Sequence, residues 1–291
     1  MDSSVSTLPG FQAVNQMLSE HYSIIVKDDS IAMTRRWGSI SSFFKTAFHA
    51  TRPPSKLLPE PLLSLRRSTW LPRIVDGDGP HDASKFAGTP WLRQDERWPE
   101  CQHCGEPMPL FLQLNLDTLP EPMQRQCGTG FLQFFYCTNT EPHCETECQA
   151  FFPFSKSQLV RVIHPESGHP SIEVPDIPLS FPPKQIVGWE ESDDYPHWEE
   201  ANAQGLELDD NTWEVLTEQG FPRPNDKLAG WPHWIQGIEY PACPVCQEKM
   251  TLVFQLDSND HLPYMFGDLG CGHITQCPTH KTQVAFGWAC S

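Results

Sequence analysis

A chain of 291 residues is long enough to bury a core without metals or disulfides, and 37 acidic against 20 basic side chains, a formal charge of −17, set its bulk surface against nucleic acid and anionic membranes. No apolar run reaches the roughly 18 residues of a membrane helix, and the first thirty residues lack the basic start, apolar stretch and cleavage site of a secretory signal. A reducing cytoplasm is therefore expected, where eleven cysteines point to metal or chemistry rather than to disulfides.

In chain order, residues 1–84 read as an N-terminal extension, partly irregular. A helix over Phe11–Ser19 and a strand over Tyr22–Val26 are expected there. Eight Lys and Arg stand between Ile31 and Val75 against one acid, Glu60, and four prolines over 51–63 favour an irregular link. The first repeat half, 85–189, opens on KFAGTP and reaches CQHCGEPMPLFLQL, Cys101 to Leu114, where a cysteine pair precedes a strand-like run. A second strand follows at FLQFFYC, Phe131 to Cys137, introduced by Gly128 and Gly130; that Gly-x-Gly opens onto a strand, so it is a hairpin and no phosphate loop. Pro170 to Pro183 reads as extended chain. The acidic linker 190–226 holds eleven acids and no Lys or Arg between Glu190 and Glu218. Asn211 to Glu214 has capping-box spacing, predicting a short helix over 212–219 with Trp213 and Leu216 inward, ended by Gly220 and Pro222.

The second repeat half, 227–291, repeats the first. Lys85 to Leu114 and Lys227 to Leu256, offset by 142, share 13 identities in 30 positions without a gap; average composition predicts about two. The same offset places Gly128 and Gly130 on Gly270 and Gly272, and Cys148 on Cys290. The expected fold is α+β: a sheet-dominated body over 85–291 built from two duplicated halves, with a short inter-repeat helix. Gln113 and Gln255 interrupt both apolar runs at the same place. Buried amides need partners, so both are expected to tie the cysteine turn to the Gly-x-Gly hairpin of their repeat, with ligand contact as the other reading.

Zinc takes four nitrogen or sulfur ligands in a tetrahedron, and a Cys-x-x-Cys turn supplies two. Two structural zinc ions are expected, one on Cys101, Cys104, Cys137 and Cys148 and one on Cys243, Cys246, Cys277 and Cys290, with Cys144, Cys271, His273 and His280 as alternative ligands. Packed free thiols are the rival reading. A dithiol redox centre is disfavoured because strands, not helices, follow the pairs. No catalytic motif is present: His-Glu-x-x-His, Gly-x-Ser-x-Gly, a phosphate loop and the zinc deaminase pattern are all missing. His197, beside Trp198, reads as a surface residue.

The stretches GTPWL, WPECQHCGEPMPLFLQLNLDTLP and GFLQFFYC, then AGWPHWIQ, YPACPVCQEKMTLVFQLDS and FGDLGCGHITQC, resemble the YwqG-like family of bacterial proteins, which has no assigned function. The likeness covers about 85–291. It implies a duplicated sheet-rich body and a soluble, cytoplasmic protein, and members without the cysteine pairs imply a fold that does not depend on metal. More distantly, Ala229 to Trp234 followed by Cys243 and Cys246 is similar to the programmed cell death protein 2 family, whose members escort a ribosomal protein. The function expected is a protein-binding or chaperone-like module with a basic protein client; an enzyme with a site in the cleft between the repeats is the alternative. Oligomeric state is open.

Overall fold

The structure, a computed structural model, describes residues 58, 60–94, 96–165, 174–177 and 180–291. The N-terminal helix and strand expected at 11–26 lie outside the described residues, as does most of the proline-rich link, whose end forms the single turn α1, Glu60–Leu63. The apolar runs become strands of one antiparallel ten-stranded sheet: β1 Arg67–Asp76, β2 Lys85–Phe86, β3 Leu110–Asn115, β4 Phe131–Tyr136, β5 Gln158–Ile163, β6 Lys184–Asp194, β7 Lys227–Ala229, β8 Thr251–Asp257, β9 Cys271–Gln276 and β10 Val284–Ala289. Short helices punctuate them: α2 Glu121–Cys127, α3 Cys144–Glu147, α4 Trp198–Ala203 and α5 Asp210–Glu218.

Strand order is β10-β9-β8-β7-β1-β6-β2-β3-β4-β5. The long pair β1 and β6 forms the centre, with the arm β2-β3-β4-β5 on one side and β7-β8-β9-β10 on the other. β1 thus comes from the segment read as an extension, and its middle position joins residues 67–76 to the body, all within one compact unit from Ser55 to Ser291. The sheet curls until β10 meets the chain beyond β4, where the Trp288 amide donates to the Phe151 carbonyl at 3.0 Å, so it is a nearly closed barrel. Aromatic side chains fill its interior: Phe111, Phe134, Tyr136, Phe266 and Phe286 pack with ring centroids 4.1 to 6.2 Å apart, the spacing at which edge and offset contacts stabilise.

The arms agree strand by strand. Lys85 lies opposite Gln113, and Lys227 opposite Gln255. A register shift falls between Leu110 and Leu112 in one arm and between Leu252 and Phe254 in the other. The offset, however, changes along the chain. Gln113 faces Gln133 while Gln255 faces His273, so from β4 and β9 onward equivalent residues differ by 140. Gly130 therefore matches Gly270, their carbonyls accepting from the Leu116 and Ser258 amides, in place of the pairing of Gly130 with Gly272. The inter-arm helix α5 starts two residues earlier than its sequence predicts: Asp209 is the cap, accepting from the Thr212 amide at 2.7 Å. Leu216 is buried as expected, with Thr212 and Val215, while Trp213 is only partly covered.

Candidate metal centres

Each cysteine pair sits on a tight turn pinned by backbone. The Cys101 amide donates to Glu106 and the Gly105 amide to Cys101; in the second arm the Cys243 amide donates to Glu248 and the Gln247 amide to Cys243. Gly105 and Gln247 both take left-handed φ, +79° and +62°, which the close of such a turn requires. The ends of β4 and β9 then bring in Cys137 and Cys277, the equivalent pair under the 140-residue offset. α3 supplies Cys144, and the turn after β9 supplies His280, whose amide donates to Cys277 Sγ at 3.2 Å.

Two groups result, Cys101, Cys104, Cys137 and Cys144, and Cys243, Cys246, Cys277 and His280; within each, the ligand atoms all lie within 4.8 Å of one another. A tetrahedral ion with metal–sulfur bonds near 2.3 Å needs sulfurs about 3.8 Å apart. The observed separations are 4.0 Å for Cys101–Cys144, 3.7 Å for Cys104–Cys137 and 3.5 Å for Cys246–Cys277. His280 Nδ1 stands 3.9 Å from Cys243 Sγ and 3.7 Å from Cys277 Sγ. Both sets fit a soft divalent cation and are too wide for disulfides.

The crowded thiols compete for charge. In the first group burial and neighbouring thiols push Cys137 up to about 12 and raise Cys144, whereas at Cys104 hydrogen bonds from the Glu106 amide, Asn139 and the adjacent thiols outweigh burial and bring it down to about 7. In the second group the same balance lowers Cys243 and Cys277, against burial, through backbone amides. Cys246, favoured by the Glu248 amide, is nevertheless driven up to about 11 by burial and by Cys277 and Cys243. A bound cation would relieve that competition by accepting every thiolate at once.

Cys148 and Cys290 do not enter these groups. Cys148 caps the far end of α3, and Cys290 lies beyond β10 beside Gly267. The 142-residue offset that singles them out has lapsed by that point in the chain, and the two completing ligands are instead Cys144 and His280. Cys271 is buried against His273, at 3.7 Å, away from the group of its arm. His197 is half-buried, capping α4 and packing on Trp213 at 4.7 Å.

Both glutamines are fully buried. Gln113 Oε1 accepts from the Trp91 amide at 2.7 Å, and its Nε2 donates to the His81 and Ala83 carbonyls. Gln255 does the same with the His233 amide and the Arg223, Pro224 and Asn225 carbonyls. The segments tied are those flanking β2 and β7, rather than the cysteine turn and the glycine hairpin, because each glutamine lies across from those short strands.

One pair of features escapes the sequence. Lys85 Nζ, wholly buried, is 2.8 Å from Asp78 and donates to the Thr89 carbonyl; Lys227 Nζ is 2.8 Å from Asp194 and donates to the Trp231 carbonyl. The Thr89 and Trp231 amides return bonds to the same carboxylates. The repeated Ala-Gly wraps this anion: a Cβ on Gly88 would come within 2.2 Å of Asp78 Oδ1, and one on Gly230 within 2.5 Å of Asp194 Oδ2, while φ is +78° and +79°. Burial lowers the Lys227 pKa, against the pull of Asp194. The repeated lysine in KFAG and KLAG was the available signal, but the distance of its partners along the chain hid its role.

A third group, Asp226, Asp260 and His261, is internally satisfied: Asp226 accepts from the Asp257 and His261 amides and from His261 Nδ1 at 2.8 Å. Among the described residues no helix is long and apolar enough to cross a membrane. A search of curated proteins finds no match. A family model matches residues 84–279, from the start of the first arm through β9 and including both cysteine pairs, and the chain therefore belongs to the family described as Domain of unknown function (DUF1963).

Proposed function

We propose that the protein is a YwqG-like, chaperone-type binding module whose two arms are duplicated halves, each locked by one structural zinc ion, and whose client is a basic protein. One observation carries the reading: each cysteine group offers four protein ligands, and four protein ligands leave no open position for a substrate or an activated water. Zinc there would cross-link the cysteine turn to the strand end and the following turn of the same arm. Eleven free cysteines with close thiols suit a reducing cytoplasm. With the metal confined to a structural role, recognition falls to the surface of a chain whose 37 acids outnumber its 20 basic residues, a balance that favours a cationic partner.

Freshly prepared, reduced protein should contain close to two zinc ions per chain by elemental analysis, and a value near zero ends the metal part of the proposal. For the client, a one-to-one complex reconstituted from purified components should weaken steeply as salt rises. An affinity indifferent to salt would sink the basic-client reading.

A further inference from the structure

Where the arms differ in side chains on equivalent strands, one of them is hollow. In the first arm, Arg161 on β5 lies opposite Gln133, donates from Nε to Gln133 Oε1 at 3.0 Å, pairs with Glu96 and holds its guanidinium 5.7 Å from the Phe135 ring. Trp98 closes on the same ring, with centroids 6.4 Å apart. The register gives the equivalents directly: Gly287 for Arg161, opposite His273, and Thr275 for Phe135. Two large side chains are thus replaced by a glycine and a threonine; the Phe151–Pro153 segment packs onto Gly287, 3.2 Å from where a Cβ would stand, and a slot of ≈ 220 Å³ remains beside it above Thr275.

The walls of that slot are aromatic. Trp234 and Tyr240, the latter equivalent to Trp98, meet edge to face at 5.0 Å, and Phe151 and Phe152 face them from the first arm. Phe152 is 55 % exposed, so this wall reaches solvent. At the floor Thr275 is 1 % exposed, and its hydroxyl has no hydrogen-bond partner among the described residues. A buried hydroxyl left so is costly unless something fills the space above it. His273, beside it, is held neutral by burial, its pKa pushed down to about 3, so it offers no repulsion to a cation. One carboxylate biases the slot the other way, Glu239, which lines it at the surface, while buried Glu200 stands behind the wall and accepts from the Trp234 indole at 2.9 Å. Tyr240 already serves as a cation platform, with Lys249 Nζ 4.4 Å from its centroid.

We propose that this slot binds the guanidinium of an arginine presented by a basic partner, on the face of the second arm where the first arm seats its own Arg161 against an aromatic ring. Planar guanidinium stacks on aromatic faces and donates to several acceptors at once, and the slot provides rings, a vacant hydroxyl and a carboxylate together. The proposal rests on the basic-client reading and names the side chain by which the client would be held.

The test uses the full chain and a capped Gly-Arg-Gly peptide, with the isosteric citrulline peptide as its uncharged control, followed through the Trp234 indole and Thr275 methyl resonances. The arginine peptide should shift both and bind about fivefold or more tightly than citrulline. Phe152→Ala combined with Glu239→Gln, both on exposed side chains, should weaken it by a similar factor without changing the melting temperature. Equal binding of citrulline, full binding by the double variant, or no shift at about 10 mM peptide would overturn the slot. If a purified basic client binds wild type and double variant alike, the slot is overturned while the client reading stands; a wild type that binds the peptide with no client overturns the client reading alone.

Discussion

The two arms share what holds the backbone and differ in what projects from it. Lysine on the short inner strand, glutamine on the next, the Ala-Gly wrap and the Cys-x-x-Cys turn occupy the same register in both. The fourth ligand changes from Cys144 to His280, Gln133 becomes His273, and Arg161 becomes Gly287. Groups that satisfy buried backbone have little freedom, since each lost partner leaves an unpaired donor or acceptor. Among the exchanged groups, Gln133 is fully buried and donates to the Trp91 carbonyl, and its replacement His273 is again a buried polar side chain, whereas the change from Arg161 to Gly287 gives up a side chain outright. The difference between the arms therefore separates scaffold from candidate binding surface.

On the zinc proposal, the largest expected break in that symmetry is loss of the ion from one arm. Cys137→Ser and Cys277→Ser should each reduce the zinc content from about two to about one, and acidification should release the ions as thiolates take up protons. Limited proteolysis should then cut the cysteine turn of the altered arm while the barrel persists, because its aromatic interior is independent of the turn. If either substitution removes both ions, the arms are not separate sites.

The buried lysines come next. Lys227→Met strands Asp194, whose side chain is as buried as the lysine it loses, and should cost about 3–5 kcal/mol in chemical denaturation. Lys85→Met should cost clearly less, because Asp78 is 34 % exposed and can turn to water. Equal losses would mean that the packing of the lysine stem, rather than the stranded charge, sets the cost. Gln255→Leu leaves the His233 amide and three carbonyls without their partner and should cost about 1–3 kcal/mol. A mutant with wild-type thermal stability would return the glutamine to the candidate ligand contacts.

How far all this was legible depends on whether a signal was local. The strands at LFLQL and LVFQL, the cysteine turns and the buried glutamines were readable because periodicity and a gapless repeat act over a few residues. β1 was not, since nothing in RSTWLPRIVD says that it lies between β6 and β7. The completing ligands were misplaced because one offset was carried past the hairpin, where the second arm is two residues shorter. The sequence places Cys137 and Cys277 correctly, while Cys144, seven residues after Cys137, and His280, three after Cys277, stand there only as alternatives because the 142-residue offset singles out Cys148 and Cys290. The sequence puts the helix cap at Asn211 where the structure has Asp209: two side-chain acceptors stand two residues apart, and Asp209 is the one that accepts from the Thr212 amide.

The smallest expected effect is also the one that isolates a single exchange between the arms. His273 stands where the first arm has Gln133, and burial, aided by Lys227 and His233, pushes its pKa from 6.5 down to about 3. Above pH 6.5 it is neutral both folded and unfolded and contributes nothing to the pH dependence. Below 6.5 the unfolded chain binds a proton that the folded chain refuses, so stability is lost as pH falls toward 3, by at most about 1.4 kcal/mol per pH unit. Asp257, raised to about 6 chiefly by burial, holds its proton in the folded state over part of this window and works in the opposite direction. The informative quantity is therefore the difference between two proteins. His273→Gln, which gives the second arm the residue of the first, should flatten the acid limb of the stability curve by up to one proton between pH 6.5 and pH 3 and leave it unchanged at pH 8. Parallel curves for the two proteins would show that this imidazole takes up its proton in the folded chain as readily as in the unfolded one.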